Sequence, residues 1–284
     1  GLIIMKIPHS VREIIGMALE EDIGNGDITT SLLIPENQES RALIMAKGNF
    51  VVAGLPFVKE VFAMISAGAR FTIFINDGLK VTKGDMIAEV YGKTRALLAG
   101  ERVGLNILQR LSGIATLTNM FAEKVSGLNA RIVDTRKTTP GLRFMEKYAV
   151  RIGGGSNHRF GLFDGILIKD NHIEAVGSIT EALRLAGEGH HLAKVEVEVE
   201  NLNDLKEAVE GGADIVMLDN MSVENMKEAV KIARGIQRNI ILEASGNVTL
   251  NNVRDIAETG VDLISIGALT HSATAADISM KIVR

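Results

Sequence analysis

The second half of the sequence repeats one pattern, in which a short apolar run ends in polar residues and is followed by an amphipathic segment. The apolar runs lie at 130–138, 165–171, 193–201, 214–220, 239–247 and 261–271. Segments with helical spacing of apolar residues lie between most of them, at 178–188, 203–212, 222–234 and 249–260. Strands that alternate with helices are typical of parallel βα units. About six such units predict a small or incomplete β/α barrel rather than a full eightfold one.

The first part of the chain has a different organisation. Helical spacing predicts helices at about 10–22 and 56–66, and strand-like segments lie at 41–48, 50–54, 70–76 and 86–92. This mixture predicts a separate α+β domain. Residues 94–126 are predicted to be helical and to join the two parts, with a break near Ser112 and Gly113.

Composition excludes several classes of protein. The 284 residues contain no cysteine, which excludes disulfides, thiolate metal sites and a cysteine nucleophile. The net charge of −4 argues against nucleic acid as a partner, and no apolar run approaches the length of a membrane span. Within this acidic chain, residues 131–172 carry eight Lys or Arg against four Asp or Glu, a local charge of +4. We therefore expect a cytoplasmic protein that binds a compact anionic ligand.

Each predicted barrel strand stays apolar until its carboxyl end, where polar groups follow. These include Asp134–Lys137, Lys169–Asn171, Glu198, Glu200, Asp219, Asn220, Glu243, Ser245–Asn247, Gly267 and His271. In β/α barrels the ligand site lies at that end of the strands. The pattern predicts that these residues surround one site.

The segment 195-VEVEVE-200 alternates charge and valine. Side chains alternate across a strand, so the three glutamates share one face, and the valines are expected to pack against outer helices. Glutamates that face the interior need cationic or metal partners, for which Lys137 and Lys169 are candidates. The alternative is an edge strand with a solvated glutamate face.

Glycine-rich loops indicate where a phosphate could bind. Ser245-Gly246-Asn247 and Gly267-Ala268 end the last two strands, and exposed backbone N–H groups in such loops bind phosphate. The run Gly153–Gly155 lets a ligand approach the backbone, or else serves as a spacer. His158 has two readings, a donor to an anion or a structural residue. Histidine spacing argues against a histidine metal site, whereas Mg²⁺ held by carboxylates and substrate phosphates stays open.

Several of these segments together resemble the quinolinate phosphoribosyltransferase family, also called nicotinate-nucleotide pyrophosphorylase (carboxylating). The likeness runs from about residue 10 to the C-terminus in the family's order. It rests on 21-EDIGNGDITT-30, 101-ERVGLN-106, 134-DTRKTTPG-141, 153-GGGSNHRFGLFDGILIKDNH-172, 195-VEVEVE-200 and 243-EASG-246.

The resemblance implies a two-domain α/β protein. Residues 1–104 would form an N-terminal α/β sandwich domain, and 105–271 a seven-stranded open α/β barrel of the type II phosphoribosyltransferases. A last helix at 272–284 would return to the N-terminal domain. The implied reaction converts quinolinate and phosphoribosyl pyrophosphate to nicotinate mononucleotide, pyrophosphate and CO₂, with Mg²⁺, in NAD biosynthesis. The implied assembly is a homodimer or a dimer-based oligomer, in which Arg102 reaches into the neighbour's site.

The resemblance also assigns roles to residues of the predicted site. Quinolinate would bind to Arg102, Arg136, Lys137, His158, Arg159 and Lys169. Lys137, Glu198 and Asp219 would be catalytic, with Glu198 and Asp219 holding the ribose hydroxyls and Mg²⁺. The 5′-phosphate would bind at Ser245, Gly246, Gly267 and His271.

Three rival interpretations of the sequence remain open. A relative of the same fold could use nicotinate or another substrate, although a monocarboxylate would not need so many cations. A binding module could sense a phosphosugar or a dicarboxylate without catalysis. An unrelated barrel enzyme could use Lys169 as a Schiff-base amine.

Overall fold

A computed structural model of the chain describes residues 6–189 and 193–283. The first five residues of the predicted domain 1–104 and the last residue of the predicted helix 272–284 lie outside the described residues. The chain divides into two compact units. One contains the chain up to Asn119, Thr138–Gly154 and the segment from Thr270 onward. The other contains Met120–Lys137 and Gly155–Leu269. The predicted domain boundary after residue 104 falls inside a continuous helix, Thr94–Lys124. The first stretch of chain that belongs to the first unit extends further, to Asn119.

The chain begins with the elements α1 (His9–Ile23), α2 (Ile28–Leu33), β1 (Glu39–Ala46), β2 (Phe50–Val51), α3 (Leu55–Ile65), β3 (Arg70–Ile73), β4 (Lys80–Val81), β5 (Met86–Lys93) and α4 (Thr94–Lys124). Then follow β6 (Arg131–Val133), α5 (Arg143–Ile152), β7 (Ile166–Ile168), α6 (Asp170–Val176), α7 (Ile179–Gly189), β8 (Val195–Val199), α8 (Leu202–Glu210) and β9 (Ile215–Asp219). The last are α9 (Val223–Ile236), β10 (Ile241–Ser245), α10 (Val253–Ala257), β11 (Leu263–Ser265), α11 (Ala268–His271) and β12 (Ile278–Val283). In the part of the chain that is described, no helix has the length and apolarity needed to cross a membrane.

The first unit is built on an antiparallel sheet with the strand order β12-β1-β5-β3. Ala42, Ile44 and Ala46 alternate along β1 and are buried. They belong to one apolar cluster with residues of α3 and α4, such as Phe62 and Leu108. A sheet with a helical layer against it is the expected N-terminal α/β sandwich.

The C-terminal segment is a strand, and the predicted helix at 272–284 is wrong. β12 pairs antiparallel with β1, from Ala46 opposite Ile278 to Arg41 opposite Val283. Apolar residues recur at every second position, and Ile278 and Met280 are buried in the cluster of the first unit. This period of two suits a strand, whereas a helix would turn one of these side chains to solvent. The expected return of the chain end to the N-terminal domain is correct.

Helix α4 is continuous over 31 residues, so the predicted break near Ser112 and Gly113 is also wrong. Ser112 Oγ instead accepts a hydrogen bond of 3.1 Å from the Ala53 N–H. A Cβ on Gly113 would lie 2.0 Å from the carbonyl oxygen of Thr274. The glycine is therefore explained by the close approach of another backbone segment and not by a turn.

The second unit contains a parallel sheet with the order β6-β11-β10-β9-β8-β7, six strands among the described residues. β6 and β7 are the two ends of this order, so the barrel is open. The resemblance implies seven strands, and beyond these six the described residues show one isolated parallel bridge at the β6 end, from Val133 to Ser156. The neighbours of Ser156, Gly155 and Asn157, have low strand propensity, which accounts for the short pairing.

The βα units begin their helices immediately after the strands. Asn201 caps α8, since its side chain accepts hydrogen bonds from the N–H groups of Asn203 and Asp204. Ser222 caps α9 in the same way and bonds to the Asn225 N–H. Such caps satisfy the free N–H groups of a helix start, so each strand turns into its helix within a few residues. The polar residues between strand and helix are thereby held at one end of the sheet.

A substitution tests the explanation of Gly113. We expect Gly113→Ala to lower the free energy of unfolding by about 1–3 kcal/mol, because the added methyl group meets the backbone of Thr274. Gly235→Ala in α9 is the matched control, since nothing lies within 4 Å of its Cβ position. The higher helix propensity of alanine should leave the control equal or more stable by up to about 1 kcal/mol. Urea unfolding measures both, and equal effects of the two substitutions would contradict the packing explanation.

Candidate active site

Parallel register brings side chains from several strands to the same level. Glu198 of β8 and Glu243 of β10 both lie opposite Met217 of β9, and Asp219 lies opposite Ser245. Lys169 follows directly after β7, whose Ile168 lies opposite Val197. Since side chains alternate across a strand, these residues project from the same face of the sheet. Carboxylates, a lysine and a hydroxyl are thus collected at the carboxyl ends of neighbouring strands.

A cavity of about 580 Å³ lies at this end of the sheet. Its lining includes nine predicted site residues: Arg136, Lys137, His158, Arg159, Lys169, Glu198, Asp219, Ser245 and Gly246. Gly267 and His271 are not among the residues that line it. His271 belongs to the first unit, where its Nδ1 lies 2.6 Å from Ser272 Oγ. Arg102 also belongs to the first unit and lines a separate cavity of about 400 Å³.

Strand β8 confirms the interpretation of the glutamate–valine alternation. Val195, Val197 and Val199 are buried, and α7 and α8 contact this strand. Glu196 is buried on the other face, while Glu200 is exposed beyond the strand end. The alternative of an edge strand is wrong, because β8 lies between β7 and β9.

Lys169 and Glu198 form an ion pair inside the cavity. Lys169 Nζ donates to Glu198 Oε2 at 2.7 Å, as expected from the sequence. The lysine side chain is 44% exposed and the glutamate only 13%. Lys169 is therefore the member of the pair that is more accessible from the cavity.

Asp134, directly after β6, anchors the segment that carries His158 and Arg159 after α5. Its carboxylate is fully buried and accepts hydrogen bonds from Asn157 Nδ2 at 2.6 Å and from the His158 N–H at 2.8 Å. Thr135 Oγ1 accepts a hydrogen bond from the Lys137 N–H at 3.0 Å and holds the neighbouring turn. Both segments were evident in the sequence, but their mutual contact was not.

His158 has both ring nitrogens engaged inside the protein. Nδ1 accepts a hydrogen bond of 2.8 Å from the Arg159 N–H, so the ring proton lies on Nε2. Nε2 lies 3.0 Å from Glu196 Oε2 and 3.5 Å from Glu243 Oε2. This geometry favours the hypothesis that His158 is a structural residue over the hypothesis that it donates to an anion, because donation to a ligand would require the loss of one of these contacts.

The sequence patterns did not assign Glu243 and Glu196 to one cluster with His158. The pKa of Glu243 is raised to about 7, chiefly because burial disfavours the charged carboxylate and also because Glu196 lies beside it, while His158 and Ser265 oppose the shift. Within the described residues, both oxygens of Glu243 and Oε1 of Glu196 have no hydrogen-bond partner. Below about pH 7, a proton on Glu243 relieves the repulsion between the two acids.

The same cluster has the composition of a metal site. One donor atom each from His158, Glu196 and Glu243 lies within 4.8 Å of the others. However, a histidine that accepts at Nδ1 carries its proton on Nε2 and cannot coordinate a metal through that nitrogen. The hydrogen-bond pattern therefore favours a buried proton-sharing group over a metal centre.

The positive side of the cavity is under electrostatic strain. The pKa of the Arg159 guanidinium is lowered, first by burial and second by the charge of Arg136, while Glu196 opposes the shift. Arg159 Nη1 donates to the Gly165 carbonyl at 2.8 Å, which fixes the side chain. Two guanidinium groups that repel one another at a cavity wall are stabilised when an anion binds between them.

Two asparagines at the cavity rim were expected at the site from their strand-end positions, but no role was assigned to them. Asn220 and Asn247 line the cavity and have positive φ angles of 53° and 51°. Asparagine tolerates this left-handed conformation better than other residues with side chains. The dipeptides Asp219-Asn220 and Gly246-Asn247 at strand ends were the available signal, since such pairs favour tight turns.

The fold and the cavity define an open β/α barrel with cationic and acidic side chains around a cavity at its strand ends. Comparison with known proteins identifies its family. The model of the family "Quinolinate phosphoribosyl transferase, N-terminal domain" matches residues 27–112. The model of "Quinolinate phosphoribosyl transferase, C-terminal domain" matches residues 114–281. The chain therefore belongs to the quinolinate phosphoribosyl transferase family.

Individual relatives agree over almost the whole chain. A probable nicotinate-nucleotide pyrophosphorylase (carboxylating) of Bacillus subtilis is 47% identical over 92% of this chain and 90% of the relative. A mitochondrial quinolinate phosphoribosyltransferase (decarboxylating) of Nicotiana glauca is 42% identical over 96% of this chain and 82% of the relative. The solved nicotinate-nucleotide pyrophosphorylase of Francisella tularensis is 42% identical, with a TM-score of 0.93 over 98% of both chains.

The raised pKa of Glu243 predicts a pH-dependent effect of Glu243→Gln. Its pKa rises from 4.5 to about 7 on folding, so the neutral carboxyl stabilises the folded state below pH 4.5 and this contribution is lost as pH rises through 7. Glutamine keeps a neutral group at every pH. We expect the variant to gain stability relative to wild type between about pH 5 and 8, by roughly 3 kcal/mol at most.

Thermal unfolding across this pH range measures the effect. Glu210→Gln, at an exposed position of α8, is the control and should follow the wild type at each pH. A constant offset between Glu243→Gln and the wild type from pH 5 to 8 would show that Glu243 is already ionised at the lower pH.

Proposed function

We propose that the protein transfers the phosphoribosyl group of phosphoribosyl pyrophosphate to quinolinate, with release of pyrophosphate and CO₂ and formation of nicotinate mononucleotide for NAD biosynthesis. The observation that carries the proposal is the division of charge within one cavity. Arg136, Arg159 and Lys169 lie in the same cavity as the carboxylates Glu198 and Asp219. A dicarboxylate needs the first set, and a ribose that develops positive charge needs the second.

Quinolinate would bind on the cationic side. Arginine pairs with carboxylates through two parallel hydrogen bonds, and two adjacent guanidinium groups suit a substrate with adjacent carboxylates. Lys137 and Lys169 complete this side of the cavity. His158 would contribute chiefly by holding the Arg159 backbone through its Nδ1 contact, because both of its ring nitrogens are engaged.

The phosphoribosyl group would bind on the opposite side. Glu198 and Asp219 would accept hydrogen bonds from the ribose hydroxyls, and Ser245 and Gly246 would bind the 5′-phosphate. Gly267 and His271 remain predicted phosphate ligands that do not line the cavity of the second unit. A carboxylate that accepts a hydrogen bond from a ribose hydroxyl also stabilises the positive charge that develops at C1 of the sugar.

A divalent cation fits the same carboxylates. Glu198 and Asp219 both line the cavity and offer oxygen ligands, which Mg²⁺ prefers together with substrate phosphates. When bound, Mg²⁺ supplies positive charge that neutralises the pyrophosphate leaving group. We propose it as the cofactor on the chemistry of these donors.

The reaction needs positioning and charge more than a general base. The quinolinate nitrogen forms a bond to C1 of the ribose as the bond from C1 to the pyrophosphate oxygen breaks, and Lys137 between them neutralises the departing oxygen. The ring nitrogen then carries positive charge. Loss of CO₂ from the adjacent carboxylate leaves an electron pair that this charge stabilises, and a proton from solvent completes nicotinate mononucleotide.

We further propose a homodimer or a dimer-based assembly in the cytoplasm. Arg102 would contribute its charge to the site of the neighbouring subunit. The cavity that it lines in the first unit also contains Glu21 and Asp22, which would hold the guanidinium near the subunit surface.

Substitution of Lys169 tests the quinolinate assignment. We expect Lys169→Ala to lower kcat/KM for quinolinate roughly 10- to 100-fold, because a charged hydrogen bond is worth about 1.5–3 kcal/mol. Pyrophosphate release with Mg²⁺ and either quinolinate or nicotinate measures it. Lys206→Ala on the exposed part of α8 is the control and should behave as the wild type.

The outcomes separate the rival interpretations. Release with nicotinate but not with quinolinate would contradict the dicarboxylate assignment and favour a nicotinate-using relative. Binding of phosphoribosyl pyrophosphate without any release would favour a non-catalytic binding module. Loss of a borohydride-trapped carbonyl adduct in Lys169→Ala would favour a Schiff-base enzyme.

Mixing of two inactive variants tests the shared site. Arg102→Ala and Lys137→Ala should each be nearly inactive alone. After unfolding and refolding together in equal amounts, a dimer with a shared site has one intact site in each mixed dimer, so about a quarter of wild-type activity should return. If Arg102 acts within its own subunit, no mixed dimer has an intact site and the mixture stays inactive.

A further inference from the structure

We propose that Asn220 is a positioning residue that joins the carboxylate of Asp219 to the Ser245–Asn247 loop. It would thereby hold the ribose-binding and phosphate-binding parts of the cavity at the separation that phosphoribosyl pyrophosphate requires. This inference rests on the proposed function, because it concerns the same cavity and its phosphoribosyl substrate. Asn220 was not assigned a role by the sequence patterns or by the resemblance.

The contacts of Asn220 cross between two strand ends. Its Nδ2 donates to Asp219 Oδ2 at 2.8 Å, and its Oδ1 accepts from Asn247 Nδ2 at 3.0 Å. Its backbone N–H donates to the Ser245 carbonyl at 2.9 Å. One residue after β9 therefore connects the last side chain of β9 with both ends of the loop that follows β10.

The orientation of the amide is determined by its neighbours. A carboxylate can only accept hydrogen bonds, so the nitrogen of the Asn220 amide must face Asp219. The amide oxygen then faces Asn247, whose nitrogen donates to it. An exchange of the two amide atoms would bring oxygen against the carboxylate and nitrogen against nitrogen. The contact thus has a single orientation and a defined chemistry.

The loop is shaped around this side chain. Gly246 has a φ of 91°, and a Cβ at this position would lie 2.1 Å from Asn220 Oδ1. Asn220 and Asn247 have φ angles of 53° and 51°, which are uncommon for residues with a side chain. Backbone in sparsely populated conformations persists where surrounding contacts determine it, and it is concentrated at functional sites.

The consequence for ligand binding concerns Asp219. Its Oδ2 is held by Asn220, and no hydrogen bond to its Oδ1 is present among residues 6–189 and 193–283. Asn220 therefore presents one carboxylate oxygen to a ligand in a defined direction. The same amide also holds the loop that contains Gly246. A change in the Asn220 side chain would therefore alter both the direction of Asp219 Oδ1 and the position of the loop N–H groups.

A purely conformational role is the competing explanation, since asparagine is suited to a left-handed turn without any side-chain function. Two substitutions separate the explanations. Asn220→Gly keeps the positive φ and removes the amide, and Asn220→Asp keeps the shape but places an acceptor against Asp219. A turn residue would tolerate glycine best, whereas a positioning residue would lose its function with glycine.

Direct binding of phosphoribosyl pyrophosphate with Mg²⁺, measured by calorimetry, and steady-state kinetics test the proposal. We expect Asn220→Gly to weaken binding and raise KM for phosphoribosyl pyrophosphate about 10- to 100-fold, as for the loss of a hydrogen bond to a charged group. KM for quinolinate should change less than about threefold, since the cationic side is untouched. Asn220→Asp should weaken binding at least as much as glycine does, and the control Asn203→Asp on α8 should bind as the wild type.

The results distinguish failure of the inference from failure of the proposed function. If Asn220→Gly binds phosphoribosyl pyrophosphate like the wild type, the inference is wrong, whatever the reaction is. Equal increases of both KM values would also contradict it, because they would indicate a general disturbance of the cavity. A wild type that binds phosphoribosyl pyrophosphate but releases no pyrophosphate with quinolinate would overturn the proposed function, and the binding data would still decide the role of Asn220.

Discussion

The parallel register of β7 to β10 is the constraint on which the site depends. It aligns Glu198 and Glu243 with Met217 and aligns Ser245 with Asp219, so every inward side chain has a fixed neighbour on the next strand. A slip by one residue would turn the charged set toward the outer helices and the valines of β8 toward the cavity. The burial of Val195, Val197 and Val199 therefore also determines the face of the sheet from which Glu196 and Glu198 project.

This placement brings charged groups out of water, and the structure satisfies them in different ways. Asp134 is satisfied by N–H donors of the loop that it anchors. Glu198 is satisfied by Lys169. Glu243 forms no hydrogen bond among the described residues. Burial and the neighbouring Glu196 raise its pKa to about 7, so protonation removes a charge that would otherwise be buried. The buried acids Glu196 and Glu243 contact the His158 ring, which in turn accepts a hydrogen bond from the backbone of Arg159.

Some charged groups that line the cavity are not fully neutralised by the protein itself. The repulsion between Arg136 and Arg159 and the free direction of the Asp219 carboxylate are both relieved by ligands of opposite charge. A site that is complementary to separated charges in this way favours a reaction in which an anion leaves and positive charge develops at carbon. Membership of the quinolinate phosphoribosyl transferase family agrees with this electrostatic design.

The sequence by itself determined what depends on neighbours along the chain. The period of two in β8, the helical period in α7 to α9, and the polar residues after each strand predicted the barrel and most of the cavity lining. Local patterns failed where a distant segment decided the outcome. Gly113 was predicted to break a helix, but it accommodates the Thr274 backbone. The resemblance predicted a helix at the chain end, but this segment pairs as a strand with β1.

The cluster of His158, Glu196 and Glu243 and the bridge made by Asn220 were decided only by the tertiary structure. Glu196 and Glu243 lie 38 and 85 residues after His158 in the sequence, and Asn247 lies 27 residues after Asn220. No local pattern records which side chains at the strand ends touch one another or which carboxylates lose contact with water. Those properties arise when the strands assemble into the sheet, because burial and hydrogen bonding depend on neighbours in space rather than in sequence.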